Sequence, residues 1–201
     1  MTGKRVARIA VFVVLIILGG KIAVPIGYTP FTLQNFFVIA AGFFLGAKDG
    51  SLACLIYLVL GLIGLPIFSS GGGVHYVIAP TFGYIIGFYF GAYIAGKMLY
   101  SFSTLSPVKA FICGATGTLA IYLIGAGYQI TIMILVLKVT ERAALLSLAN
   151  LPWMLVVDLV MVMILCLIFP RLTTMMKINS VKFQKRGKPA LTENSNRCSK
   201  G

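Results

Sequence analysis

Apolar residues dominate this chain in six long runs, at about Val6 to Val24, Phe31 to Ala47, Leu52 to Leu65, Val74 to Leu99, Val108 to Leu137 and Leu151 to Phe169. A hydrocarbon core about 30 Å thick takes roughly 20 apolar residues of helix to cross. In lipid a spanning helix must also satisfy its backbone polar groups internally. The runs therefore predict an all-α membrane protein, a six-transmembrane-helix bundle. The third run is short for a full crossing, so it is tilted or buries its end in protein. The fourth and fifth exceed the minimum and are tilted or locally broken. Composition agrees: 59% hydrophobic and 10% charged residues, with a mean hydropathy of +1.00, are too apolar for a water-soluble domain of 201 residues.

An even number of spans places both termini on one side of the membrane. Of the 17 Lys and Arg residues, 14 fall on that side: Lys4, Arg5, Arg8, Lys48, Lys97, Lys109 and eight beyond residue 170. Lys21, Lys138 and Arg142 fall on the other. Positive charge concentrates in cytoplasmic segments, so both termini are expected to be cytoplasmic. The net charge of +13 is then a topology signal and not a nucleic-acid footprint. The chain divides into a cytoplasmic N-terminus at 1–8, a membrane domain at 9–170 and a basic tail at 171–201. The tail has too few large apolar residues to bury a core and is expected to be disordered, either touching anionic headgroups or simply fixing topology. Lys4, Arg5 and Arg8 ahead of Ile9 to Leu18 also fit a signal peptide, but no small-x-small site follows and five more apolar runs do, so this reads as the first span.

Three of the four acidic residues fit in water: Asp49 in an inner loop, Glu141 in an outer loop and Glu193 in the tail. Asp158 lies inside the sixth run, where an isolated charge costs on the order of 2.5–3.5 kcal/mol. It is either a functional contact or a hydrogen-bonded link between helices. Met161 and Val162 occupy i+3 and i+4, so any partner must come from another span, from water or from a ligand. In the outer loop Pro66 to Tyr76, Gly71, Gly72 and Gly73 stand beside His75, the single histidine. Consecutive glycines open backbone conformations that other residues resist, which suits a lid or a plain flexible connection. One histidine is weak ground for a metal, and Cys54, Cys113, Cys166 and Cys198 share no ligand spacing and read as small apolar fillers. No metal site and no cofactor are expected.

Polar and turn residues enter the apolar runs at Thr29 to Asn35 and at Ala79 to Tyr84. Such groups are tolerated at membrane depth where they line a cavity or pack on protein. Both strings fall on the outer halves of their spans, at a depth comparable with Asp158, so the three elements are expected to converge on one outward-facing pocket. Gly83, Gly87, Gly91 and Ala95 form a small-residue stripe on the fourth run, for packing within the bundle or for docking another subunit.

Several strings together resemble the BioY family, the biotin-specific substrate-binding (S) components of energy-coupling-factor (ECF) transporters. They are Thr29-Pro-Phe-Thr-Leu-Gln34, Ala41-Gly-Phe-Phe-Leu-Gly46, Tyr57 to Phe68 with its Gly-Leu-Pro-Ile-Phe ending, and Ala79-Pro-Thr-Phe-Gly-Tyr84 after the glycine run, with a weaker match at Leu151-Pro152 and Asp158. The resemblance runs in order from about residue 5 to 170. It implies a six-helix bundle that binds biotin from the outside, capped by its first and third loops, in a bacterial cytoplasmic membrane. Carried over by position, Asp158 matches the acidic residue of the last helix that contacts the polar end of biotin, Thr81, Gly83 and Tyr84 match a Pro-Thr-x-Gly-Tyr string, and Gln34 matches a Thr-Leu-Gln string. Biotin offers two ureido N–H donors, and an ionised Asp158 would accept from one. Two departures stand out. Met161 replaces the lysine usual three residues after the aspartate, and Ala7 is followed at i+4 by Val11 where the family carries a second alanine for docking on the coupling subunit.

Transport by such a component implies a transmembrane coupling subunit and two ATPase subunits. This chain has no Gly-x-x-x-x-Gly-Lys-Ser/Thr string, so any ATP is hydrolysed by partners. An S component for another small vitamin-like solute, or a solitary facilitator, is the competing reading. A membrane-embedded enzyme would need paired catalytic groups, and one buried acid with one loop histidine do not supply them.

Overall fold

A computed structural model describes residues 3–24, 31–69, 71–102 and 106–175, with side chains described as far as Phe169. Helix α1 (Gly3–Lys21) leads into a short antiparallel ribbon of β1 (Ala23–Val24) and β2 (Phe31–Thr32), which pairs Ala23 with Thr32. Helices α2 (Gln34–Leu45) and α3 (Ala47–Leu62) follow, then a 3-10 turn at Val74–Ile78, α4 (Phe82–Leu99), α5 (Pro107–Leu135), the short α6 (Glu141–Leu146) and α7 (Leu151–Met175).

The fold is helical, and among the described residues three segments are long and apolar enough to cross a membrane: α4, α5 and the stretch from α6 through Phe169. Their mean hydropathies are 1.2, 1.7 and 2.6. Helix α1 has 19 residues but carries Lys4, Arg5, Arg8 and Lys21 at its ends. Helix α2, with 12 residues, extends only about 18 Å at 1.5 Å per residue, and it is enclosed by α1, α3, α4 and α7. Large apolar side chains point outward from α1 (Val11, Leu18), α5 (Leu119, Leu123) and α7 (Val160, Leu167). In water these stripes would be a liability, and in a bilayer they face lipid chains.

The expected inner loop at Lys48 and Asp49 does not exist. Gly46 alone separates α2 from α3, with φ of 84°, a conformation other residues resist. Asp49 falls in the first turn of α3, where its charge suits the helix N-terminus. It also accepts from Arg5 Nε at 2.8 Å, tying the start of α1 to the start of α3. The fourth apolar run is broken ahead of Pro80, into the 3-10 turn and α4, because proline cannot donate to a continuing helix. Glu141 opens α6 and does not sit in an irregular loop. Helix α7 runs past Phe169 to Met175, while the rest of the basic tail, Glu193 and Cys198 lie outside the described residues, as do Thr29 and Pro30.

The small-residue stripe on α4 is consumed inside the bundle. A Cβ at Gly91 would lie 2.4 Å from Ile121 Cγ1 and 2.9 Å from the Gly117 carbonyl, and one at Gly117 would lie 2.7 Å from the Gly91 carbonyl. Glycine facing glycine thus brings α4 and α5 together without side chains between them. On the other side of α4, Gly42 leaves no room for a side chain against the Ala92 carbonyl. The core above and below this contact holds Phe43, Tyr57, Phe68 and Phe169, with Ile16 and Ile39, all fully enclosed. Cys54, Cys113 and Cys166 are buried within it.

Candidate functional site

A pocket of about 610 Å3, counting its open mouth, lies among β2, α2, α4, α5 and α7 under the loop that follows α3. Four of the five residues singled out in the sequence line it: Gln34, Thr81, Tyr84 and Asp158. The fifth, Gly83, does not. A Cβ there would meet Tyr128 Cβ at 2.2 Å, so Gly83 sets the approach of α4 to α5 behind the pocket wall.

Asp158 is 5% exposed on α7 and receives the Tyr122 hydroxyl of α5 on Oδ2 at 2.7 Å. The partner comes from another span, one of the three sources left open by Met161 and Val162 at i+3 and i+4. The Asn35 side chain lies alongside the same carboxylate. Asn35 Nδ2 donates to Thr118 Oγ1 at 3.3 Å. Among the described residues, Asn35 Oδ1 is the one buried side-chain oxygen or nitrogen with no partner. A buried carbonyl oxygen left unsatisfied costs about 1–3 kcal/mol, and Asn35 is one of the residues that line the pocket.

Gln34 opens α2 and is committed to the protein. Its amide donates to Tyr57 Oη at 2.7 Å and to the Ile16 carbonyl at 3.4 Å, and its oxygen accepts from Thr32 at 3.4 Å. One side chain thereby joins α1, α2 and α3 at the pocket floor. Tyr84 gives its hydroxyl proton to Gln129 Oε1 at 3.0 Å, and Gln129 Nε2 donates to Ser147 Oγ at 2.9 Å, just after α6. Its ring therefore walls the pocket, set nearly perpendicular to Tyr122 at 6.0 Å. Tyr76 links Ser69 and Thr81 through two contacts of 3.3 Å, making a row of hydroxyls at the loop end.

The glycine run is built, not slack. Phe68 and Gly71 bridge through Phe68 N to Gly71 O at 2.9 Å, and Gly73 N donates to Gly61 O at 2.7 Å. Gly71 and Gly73 take φ of 127° and 107°, and a Cβ on Gly72 would lie 2.0 Å from the Leu65 carbonyl. Only this sequence of glycines closes such a turn. Phe68 is wedged between Tyr57 and Tyr76, and Lys21 Nζ donates to the carbonyls of Pro66 (2.6 Å) and Phe68 (3.3 Å). His75 is exposed on the 3-10 turn and does not line the pocket.

Asn35, Thr118 and Tyr122 were not singled out as site residues, though Asn35 closes the quoted Thr29 to Asn35 string. A signal for the other two existed. Thr118, Tyr122, Gly125 and Gln129 recur at helical spacing along α5. That stripe meets Asn35 of α2, Asp158 of α7 and Tyr84 of α4.

The chain is matched by the BioY family model over residues 1–178. It is 44% identical over 127 residues to the probable biotin transporter BioY of Pyrococcus horikoshii, covering 62% of this chain and 74% of that one. It is 39% identical over 120 residues to the probable biotin transporter BioY of Lysinibacillus sphaericus, and 41% identical over 96 residues to the biotin transporter BioY of Thermotoga maritima. These two alignments cover 60% and 47% of this chain, and the aligned stretch spans 61% and 57% of those relatives, less than two thirds of each. The same fold occurs in the crystal structure of an S-component for biotin from an ECF-type ABC transporter, with a TM-score of 0.69 at 24% identity, covering 85% of this chain and 95% of that one. With a family match across nearly the whole bundle, and a pocket formed where its polar strings meet, the chain belongs to the BioY family.

Proposed function

We propose that this chain captures biotin at the outer face of a bacterial cytoplasmic membrane, as the multi-pass S component of an ATP-driven ECF transporter. The observation that carries the reading is the buried Asp158 carboxylate in a pocket walled by the rings of Phe31, Tyr84, Phe88 and Tyr122. A carboxylate acceptor in an aromatic slot suits a cyclic urea, which presents N–H donors from a flat ring. The biotin transporters among its relatives point to the same ligand. The family consists of transporters.

In this reading α1, α2, α3, α4, α5 and α7 are the six spans, and both termini are cytoplasmic. The charge distribution along the chain supports that orientation. Biotin is the transported substrate, and no resident cofactor is involved. A transmembrane coupling subunit and two ATPase subunits provide the energy, since this chain has no phosphate-binding loop of its own.

The test is uptake of labelled biotin in a biotin-requiring bacterial host expressing this chain, with and without a co-expressed coupling module. Uptake that depends on the module supports the full reading. No uptake in either host, with good membrane expression, contradicts it.

A further inference from the structure

The pocket holds one acid and, among the described residues, no base. Every cation on the surrounding elements is remote or engaged. Lys97 on α4 lies 13 residues beyond Tyr84, and Lys109 on α5 lies 13 residues before Tyr122, each about 20 Å along its helix. Asp158 is the sole charged residue between Leu151 and Phe169. Lys21, on the α1 side, spends its ammonium on the carbonyls of Pro66 and Phe68. Lys138 and Arg142 are exposed around the start of α6. The segment 25–30, between β1 and β2, contains no Lys or Arg.

The chemistry of the two pocket ends then orients the ligand. At the helix end Asp158 is an acceptor, and the Tyr122 proton is already given to it. A carboxylate is acceptor-only, and placed here it would face a second carboxylate with no cation between them. Burying like charges in this way is strongly unfavourable. The N–H donors of a urea fit instead. The pocket lining also holds the neutral hydroxyls of Ser69, Tyr76 and Thr81 under the loop, which can donate to a ligand's tail.

Building on the proposed biotin reading, we infer that this site recognises the cyclic urea head and is indifferent to the charge of the tail, so that its substrate class extends to tail esters and amides. Hydroxyls donate to an ester or amide carbonyl as they do to a carboxylate. With no guanidinium or ammonium committed to the tail, neutralising it removes no ion pair.

The experiment is equilibrium binding of labelled biotin to the purified full chain in lipid nanodiscs, in competition with unlabelled biotin, biotin methyl ester and biotin primary amide. The neutral ligands are expected within about threefold of the acid, because the hydroxyls donate to either tail and no ion pair to a cation is lost. A loss of roughly 10- to 100-fold on esterification, the size of a charge-assisted contact to a cation, would overturn the inference while leaving biotin binding intact. No binding of any of the ligands would overturn the biotin reading itself. Asp158→Asn supplies an independent readout: it is expected to weaken acid and ester by the same factor. A variant that improved the acid selectively would place the tail carboxylate at Asp158 and overturn the orientation.

Discussion

The Tyr122 hydroxyl donates to Asp158 Oδ2 at 2.7 Å, bridging α5 to α7 across the pocket wall. This bond explains how an acid is kept within an apolar helix. Tyr122→Phe removes only the hydroxyl. It is expected to lower thermal stability by about 1–2 kcal/mol and biotin affinity by roughly 10-fold, since Asp158 loses its fixed donor. Melting curves and binding on the purified variant check both.

Gly83 belongs to the packing of α4 on α5 and not to the ligand. Gly83→Ala drives a methyl to within 2.2 Å of Tyr128 Cβ and is expected to destabilise by about 1–3 kcal/mol. Gly127→Ala, on the same α5 with no atom within 4 Å of the new methyl, is expected to be neutral or stabilising by up to about 1 kcal/mol. Thermal unfolding of the two variants side by side distinguishes a packing glycine from a free one.

Lys21 anchors the loop that carries Phe68 and Ser69 over the pocket. Lys21→Met keeps the apolar stem and deletes the two contacts to the Pro66 and Phe68 carbonyls. Stability should change by less than about 1 kcal/mol at this exposed position. The dissociation rate of biotin should rise by about threefold to 10-fold, as the closed loop loses a charge-assisted bond. A stopped-flow chase measures the rate.

Gln129 is fully enclosed and relays Tyr84 to Ser147. Gln129→Leu leaves the Tyr84 hydroxyl buried without its acceptor, and is expected to cost about 1–3 kcal/mol. Replacing Tyr84 by Phe in the same chain should recover part of that loss, because the orphaned hydroxyl is then gone. A double-mutant cycle on melting free energies tests the coupling.

Much of this architecture was legible before any coordinates, because lipid imposes a plain rule on sequence. The helices follow the apolar runs, and Asp158 stood out because a charge at that depth demands a reason. The convergence of the Thr29 to Asn35 and Ala79 to Tyr84 strings with Asp158 was readable from their shared depth: Phe31, Thr32, Gln34 and Asn35 of the first and Thr81 and Tyr84 of the second line the pocket. Other features escaped for physical reasons. Hydropathy sees Lys48 and Asp49 as a loop, whereas a single left-handed glycine turns the chain and leaves both inside α3. Tyr122 is unremarkable in an apolar helix until α7 is placed beside it. Gly83 shares a motif with Thr81 and Tyr84, but its neighbours lie one helical face away, and motif spacing does not distinguish a wall from the packing behind it.

Binding of labelled biotin to the purified chain and to Asp158→Ala, with folding of both verified by melting, tests the central claim most directly. Saturable binding by the native chain, weakened roughly 10- to 100-fold by removal of the charged acceptor, is the predicted result. A folded Asp158→Ala protein that retained the native affinity would contradict the account.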